Sequence, residues 1–186
     1  HLKAPPGGNG QGTGPRRGRG MAGGWWPNFG GPATYYIQVN EDGTASLATG
    51  SQDLSGTRMT GAMQAAEILG IPVEDMRPVT TDTNSTGYNG NAGGSSRTYA
   101  AGIAAIEAAH KVIAEMRKRA AILWQVDADT VQYERGVFTT SARPGHKLTF
   151  KEVAARQMET GGQICASAAV APQNNASQIA IHIADV

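Results

Sequence analysis

A single cysteine, Cys165, leaves the chain without an internal disulfide and without an all-cysteine zinc or iron–sulfur site of its own. No stretch of about 18 apolar residues occurs, so there is no membrane span to place. Charge of one sign is also lacking: 16 basic and 15 acidic residues leave a formal net charge of +1, which gives no overall pull toward nucleic acid or an acidic membrane. The four histidines, His1, His110, His146 and His182, have no metal-ligand spacing, and His110 is expected on a long helix. No Ser/His/Asp or Cys/His order argues for a nucleophile, and no repeat of fixed period is visible. The opening residues His1 to Pro6 carry no secretory signal and read as an internal cut of a longer chain. A cytoplasmic location is the default that these absences leave.

What the chain has is glycine: 25 of 186 residues, roughly double the usual share. The glycines cluster in expected loops, which points to close backbone approach. A length of 186 residues suits one domain with a real core. Residues 1–15 are Gly/Pro-rich and read as an arm or linker; residues 16–186 read as the folded part.

Within that part the pattern predicts a strand over Arg19 to Trp26, then a hairpin of Thr34–Val39 and Thr44–Thr49 around the turn Asn40 to Gly43. Met59 to Leu69 has helical spacing, with Met59, Met63, Ala66 and Leu69 expected on the buried face, Gly70 closing the helix and Pro72 beyond it. Met76–Val79 reads as a strand. A long helix over Thr98–Arg119 is predicted, with an apolar stripe of Tyr99, Ile103, Ile106, Ile113 and Met116 and the pairs Glu107–Lys111 and Glu115–Arg119. The run Arg117 to Arg119 reads as its solvated C-terminal end. Val131–Tyr133 and Val137–Thr140 form a second hairpin, Thr149 and Glu152 a capping box opening a helix to about Glu159, and Ile164–Ala171 and Ser177–Val186 two closing strands. The expected class is α+β, with mixed or antiparallel sheets, one long amphipathic helix and two shorter helices.

Two polar, Gly-containing segments run straight into helices. The first is Asp53-Leu54-Ser55-Gly56-Thr57-Arg58, the second Gly90-Asn91-Ala92-Gly93-Gly94-Ser95-Ser96-Arg97. A helix start offers unpaired backbone N–H groups and the positive dipole end, so it favours anions. Either segment also reads as an ordinary turn, with Asp53 or Ser55 as cap and Gly56 supplying a left-handed angle. Arg58 and Arg97 each lie in a first helical turn, where a cation opposes the dipole unless an anion sits there. Arginine is also suited to bidentate phosphate recognition.

Other features carry less. Gly8, Gly10, Gly12 and Gly14 imitate a phosphate loop, but no strand precedes them and no Gly-Lys-Ser/Thr follows. Pro15 to Gly20 followed by Trp25-Trp26 suits single-stranded nucleic acid by charge and stacking, or an arm with two core aromatics, which the low net charge favours. Asp42, Asp127 and Asp129 read as turn residues and Cys165 as a small core residue.

Taken together the segments resemble the molybdopterin-binding large subunit of the xanthine dehydrogenase and aldehyde oxidase family of molybdenum hydroxylases. Arg17-Gly18-Arg19-Gly20-Met21-Ala22 is similar to the Gly-rich strand opening that family's second molybdenum-binding domain. Residues 40–58 with Gln64 to Pro72 resemble its hairpin, cofactor loop and helix. Asp82-Thr83, Gly94 to Thr98, Gly102 and Ala108-Ala109 resemble its second cofactor segment, and the match runs in order to Ile181–Val186. The resemblance implies that Ser55, Gly56, Thr57 and Arg58, with Gly94, Ser95, Ser96 and Arg97, hold the phosphates of a molybdopterin or molybdopterin cytosine dinucleotide that carries the molybdenum. It implies oxidative hydroxylation of aldehydes or N-heterocycles, with iron–sulfur and flavin subunits as partners of the complete enzyme. Many members have Gly-Gln-Gly where Ser55-Gly56-Thr57 stands here. The family's catalytic glutamate lies in a segment beyond Val186, and no Gly-Glu pair occurs in this chain. The resemblance therefore implies part of a cofactor-binding domain, without a catalytic residue or activity of its own and with an exposed apolar face where the domain is interrupted.

Overall fold

The computed structural model describes residues 18–27, 29–79, 82–173 and 177–185, so the expected arm over residues 1–15 lies outside the described residues. The order is β1 (Arg19–Trp26), β2 (Ala33–Val39), β3 (Ala45–Ala48), α1 (Thr57–Leu69), β4 (Met76–Val79), α2 (Gly102–Trp124), β5 (Val131–Glu134), β6 (Val137–Thr140), β7 (Lys147–Thr149), α3 (Phe150–Ala155), β8 (Cys165–Val170) and β9 (Gln178–Asp185). The class is α+β with one long and two shorter helices, as the pattern predicts. A four-stranded mixed sheet runs β4-β3-β2-β8, a three-stranded antiparallel sheet runs β5-β6-β7, and β1 and β9 form a separate antiparallel ribbon.

The central strand β2 alternates cleanly. Ala33, Tyr35, Ile37 and Val39 are buried and the residues between them face outward. It turns into β3 at Asn40 to Gly43, where the Asp42 carboxylate accepts from the Thr44 amide and hydroxyl at 2.9 and 2.6 Å. Those two bonds, together with Arg77, hold the Asp42 carboxyl below its usual range. From β3 the chain crosses through α1 to β4, which lies parallel to β3. The carboxyl ends of β3 and β4 therefore point the same way, and the loops that leave them lead to the starts of α1 and α2.

The helices lie on the sheet by faces that differ from the expected stripes. The buried side of α1 is Gly61, Ala62, Ala65, Ala66 and Leu69, while Met59 and Met63 are exposed. The buried side of α2 is mostly alanine, with Gly102, Val112, Met116 and Trp124, and Ile103, Ile106 and Ile113 are only half-buried on its flank. Small side chains face the core because α1 and α2 approach closely. A Cβ on Gly102 would lie 2.7 Å from Gln64 Nε2, and one on Gly61 would lie 3.0 Å from the Tyr35 ring. Bulky residues are displaced to the flanks, where there is room.

Other expectations also shift. α2 runs past the basic run to Trp124, and the run is engaged: Arg117 donates to the Val131 carbonyl at 2.7 Å, and Lys118 and Arg119 reach Glu115 at 3.2 and 2.8 Å. Lys111 donates to the Ser167 carbonyl at 3.0 Å rather than pairing with Glu107. Cys165 is exposed, because it sits on the sheet face turned away from the helices. Trp25 and Trp26 lie on the ribbon and are exposed, not core aromatics. The capping box holds: Thr149 Oγ1 accepts from the Glu152 amide and Glu152 accepts from the Thr149 amide.

Candidate functional site

The two polar segments meet at one end of the mixed sheet, and the first residues of β2 tie them together. Thr49 Oγ1 donates to the Thr34 carbonyl at 2.8 Å, while Asn89 Oδ1 accepts from the Thr34 amide at 3.1 Å. Thr34 Oγ1 in turn donates to the Tyr88 carbonyl at 3.0 Å. Backbone approach between the loops is close. A Cβ on Gly50 would lie 3.0 Å from Thr86 Oγ1 and 3.1 Å from the Gly87 carbonyl oxygen, so a side chain there would push the two loops apart by a few tenths of an ångström.

Each segment bends through two consecutive left-handed residues just before its arginine. These are Ser55 (φ 55°) and Gly56 (φ 80°) in the first, and Gly94 (φ 59°) and Ser95 (φ 57°) in the second. A serine in that region is strained by about 1 kcal/mol or more, and such strain concentrates at ligand sites. The second helix then starts with a wider π turn over Arg97–Ala101 before α2 proper, another feature frequent at functional sites.

The two starts are not equivalent. At α1, Asp53 Oδ1 accepts from the Arg58 amide at 3.2 Å, Thr57 Oγ1 donates to the Gln52 carbonyl at 3.1 Å, and Arg58 Nε donates to the Ser51 carbonyl at 3.3 Å. A carboxylate of the chain already answers part of that helix's positive end. At the second start Ser96 Oγ donates to the Asn91 carbonyl at 3.4 Å and accepts from Arg97 Nε at 3.1 Å. Arg97 is only 5% exposed, and its Nη1 has no hydrogen-bond partner among the described residues. Burial pushes the Arg97 pKa down, Tyr35 acts the other way, and among the described residues no carboxylate offsets it. A buried guanidinium with an idle donor is the arrangement expected where an anion completes the site.

Tyr35 joins the two arginines. Its burial pushes the hydroxyl up to about 12, and the Arg58 and Arg97 guanidiniums both pull the other way. It remains a neutral hydroxyl at physiological pH, beneath α1 where Gly61 leaves room for it. Gly61→Ala is expected to cost about 1–2 kcal/mol, the overpacking against Tyr35 exceeding the gain in helix propensity. A thermal melt checks this, and an unchanged or higher midpoint contradicts the close approach.

A cavity of about 730 Å³ opens between the helix starts, lined by Leu54 and Thr57 from the first segment and Ser95, Ser96 and Arg97 from the second. Gln64, Gly102, Ile103 and Ile106 form its helical wall, and Gln178 reaches it from β9. Of the eight expected residues, Thr57, Ser95, Ser96 and Arg97 line this cavity. Ser55, Gly56, Arg58 and Gly94 shape the turns beside it. Sequence reasoning missed Tyr35, Gln64 and Trp26, whose Nε1 donates to Ser95 Oγ at 3.2 Å. Only their place in the fold brings them here. Gln64 Oε1 is a buried acceptor without a partner among the described residues. Among those residues no group of three His, Cys, Asp or Glu side chains is placed to hold a metal ion directly.

Comparison with known proteins decides the family. A family model described as the molybdopterin cofactor-binding domain matches residues 3–186. The chain belongs to that family. The xanthine dehydrogenase molybdenum-binding subunit of Escherichia coli O157:H7 is 27% identical over 145 residues, covering 75% of this chain and 19% of the relative. The fold is shared with CO dehydrogenase from Oligotropha carboxidovorans, at a TM-score of 0.81 and 22% identity over 91% of this chain and 24% of that one. Quinoline 2-oxidoreductase from Pseudomonas putida 86 shares it at a TM-score of 0.73 and 19% identity, with the same coverage. This molybdopterin cofactor-binding domain thus spans about a fifth of the length of the curated relative it matches. Its family does not favour the nucleic-acid reading, and among the described residues no helix is long and apolar enough to cross a membrane.

Proposed function

We propose that residues 16–186 are the cofactor-holding part of the molybdenum-binding subunit of a molybdenum-dependent oxidoreductase, and that the two helix starts grip the phosphates of molybdopterin or molybdopterin cytosine dinucleotide. The observation that carries this is the buried Arg97, whose Nη1 has no hydrogen-bond partner among the described residues, in a chain of this family. The donor set fits an anionic cofactor end: Arg97 supplies charge, Ser95 and Ser96 supply hydroxyls, and the left-handed turn at Gly94-Ser95 exposes backbone N–H groups. Arg58, Ser55, Gly56 and Thr57 form the weaker second grip, because Asp53 shares that helix start. Gln64 and the Ile103/Ile106 wall line the space between the grips.

When bound, the molybdenum cofactor supplies the redox chemistry, and this chain supplies orientation and phosphate binding. The reaction class is oxidative hydroxylation of aldehydes or N-heterocycles, with electrons leaving through iron–sulfur and flavin partners. The low cysteine count and the absence of an apolar run support a cytoplasmic setting. Metal analysis with pterin fluorescence on the complete subunit, produced with molybdate, is expected to give molybdenum and pterin in equal amounts. A subunit that folds and contains neither overturns the reading.

A further inference from the structure

The ribbon of β1 and β9 stands apart from both sheets, with no further strand on either outer edge among the described residues. Its register places Met21, Gly23 and Trp25 opposite Ile183, Ile181 and Ile179, so one face is almost wholly apolar. That face is open to solvent: Met21 is 65% exposed, Trp25 63%, Ile179 77% and Ile181 64%. A two-stranded ribbon with a bare apolar face and two unpaired edges is marginal in water. The ribbon's Arg19 and Asp185 pair with each other at one end, Arg19 Nη2 to Asp185 Oδ2 at 2.8 Å, and His182, opposite Ala22, belongs to the other face. Any occupant of this face therefore meets an uncharged surface.

The glycines of β1 point the same way. Gly20, Gly23 and Gly24 lie inside a strand, where glycine costs roughly 0.5–1 kcal/mol relative to alanine. A Cβ at any of them would meet nothing within 4 Å, so no described residue requires a glycine there. Strand glycines often mark a bulge, a bend or a place where another backbone approaches, and the unbroken β1–β9 register shows no bulge. Gly23 sits in the middle of the apolar face, between Met21 and Trp25.

We infer that the β1–β9 ribbon is an interaction surface for a strand-forming, apolar and uncharged segment from the rest of the larger subunit. This rests on the reading that the chain works within such a subunit; the relatives it matches are four to five times its length, and so contain the polypeptide to supply it. A second copy suits the surface less well. Pairing edge to edge leaves the apolar face bare, and packing face to face leaves the edges unpaired. The ribbon is also tied to the candidate cofactor loop. Trp26 Nε1 donates to Ser95 Oγ at 3.2 Å, and just beyond β1 the Phe29 amide donates to the Gly94 carbonyl at 2.9 Å. The docked segment would steady the loop through these two bonds.

Residue-resolved hydrogen exchange on the complete subunit tests this. In a free two-stranded antiparallel ribbon only every second amide on each strand is bonded across. Added pairing predicts protection of consecutive amides along at least one strand, whereas strict alternation on both overturns the inference. Gly23→Val gives a second measurement. Valine is the better strand former and finds open space here, so strand propensity alone predicts a raised thermal midpoint. Docking predicts a midpoint lowered by several degrees in the complete subunit, and a raised one overturns the inference. Consecutive protection that appears only at concentrations where light scattering gives a dimer assigns the face to a second copy and overturns it too. Molybdenum content, measured on the same wild-type sample, reports on the cofactor reading separately. A molybdenum-free subunit with a fully protected ribbon would sink that reading and keep this one.

Discussion

Replacing Arg97 with alanine in the complete subunit is expected to lower the molybdenum bound per subunit about tenfold or more while the cofactor-free chain stays folded. The magnitude follows from the loss of hydrogen bonds to a charged group, each about 1.5–3 kcal/mol. The second half of the expectation separates a ligand site from a structural arginine. Among the described residues Arg97 is buried without a carboxylate, its Nη1 is idle, and its hydrogen bond goes to the neighbouring Ser96 hydroxyl. Without cofactor that arrangement is a cost, since burying an unsatisfied polar group destabilises by about 1–3 kcal/mol. Arg97→Met, which keeps the unbranched apolar stem and removes the charged head, should therefore leave the melting temperature of the cofactor-free chain unchanged or raise it by a few degrees. The same variant should lose molybdenum as Arg97→Ala does. If Arg97→Met unfolds the chain, or if Arg97→Ala keeps its molybdenum, Arg97 is not the phosphate ligand.

The cost at Arg97 also explains how the site divides its work. Both helix starts carry an arginine after a left-handed pair, and in sequence they look like two copies of one device. In space they differ. Asp53 turns back onto the Arg58 amide, so the α1 start is largely complete within the chain. The second start has no acid and keeps an open donor beside the cavity. Tyr35 feels both guanidiniums and stays neutral, so it neither cancels their charge nor competes with an anion for it. On the proposed reading the stronger anion grip therefore falls to residues 94–97, with α1 as the facing wall of the cavity.

Features written in local chemistry were legible beforehand. Pro72 marked the start of the stretch that holds β4, the Gly70 cap fixed the end of α1, and Thr149 with Glu152 marked the start of α3. The two segments were recognisable because glycine, hydroxyls and a misplaced cation gather before a helix. The buried faces of the helices were not legible. Hydrophobicity ranks isoleucine and methionine above alanine, but in a crowded layer the residue that fits wins, and Gly61, Ala65, Ala105 and Ala109 fit. Trp25, Trp26 and Cys165 misled for a related reason: residue type says what can be buried, and topology decides which strand has a neighbour to bury it against. The short β7 was hidden in a polar loop because its three residues gain their order from β6 rather than from their own pattern. Tyr35, Gln64 and Trp26 belong to the site only through long-range contacts, which no local spacing encodes.

The largest effect on stability is expected at Gly70, which ends α1 far from the cofactor loops. Gly70 sits at φ 58° and its amide donates back to the Ala66 carbonyl, closing the helix in the left-handed form. It packs against the tight turn of β5 and β6, where Arg135 and Gly136 have φ of 45° and 82°. A Cβ on Gly70 would overlap the Gly136 amide nitrogen and lie 2.6 Å from the Arg135 carbonyl carbon. Backbone atoms cannot rotate aside as a flexible side chain can, so either the helix end or the hairpin must move. Moving it would also break the bond from the Tyr133 hydroxyl to the Leu69 carbonyl. Left-handed strain adds about 1 kcal/mol and overpacking about 1–3 kcal/mol, so Gly70→Ala is expected to cost about 2–4 kcal/mol. For a chain of this size that lowers the thermal midpoint by roughly 10 °C. Gly145→Ala is the control that isolates the strain, because Gly145 has φ 91° and a Cβ there would meet nothing within 4 Å. It should cost about 1 kcal/mol. Equal losses at the two positions would mean that Gly70 is needed only for its backbone angle, and that the hairpin does not lock the end of the helix whose other end shapes the cofactor cavity.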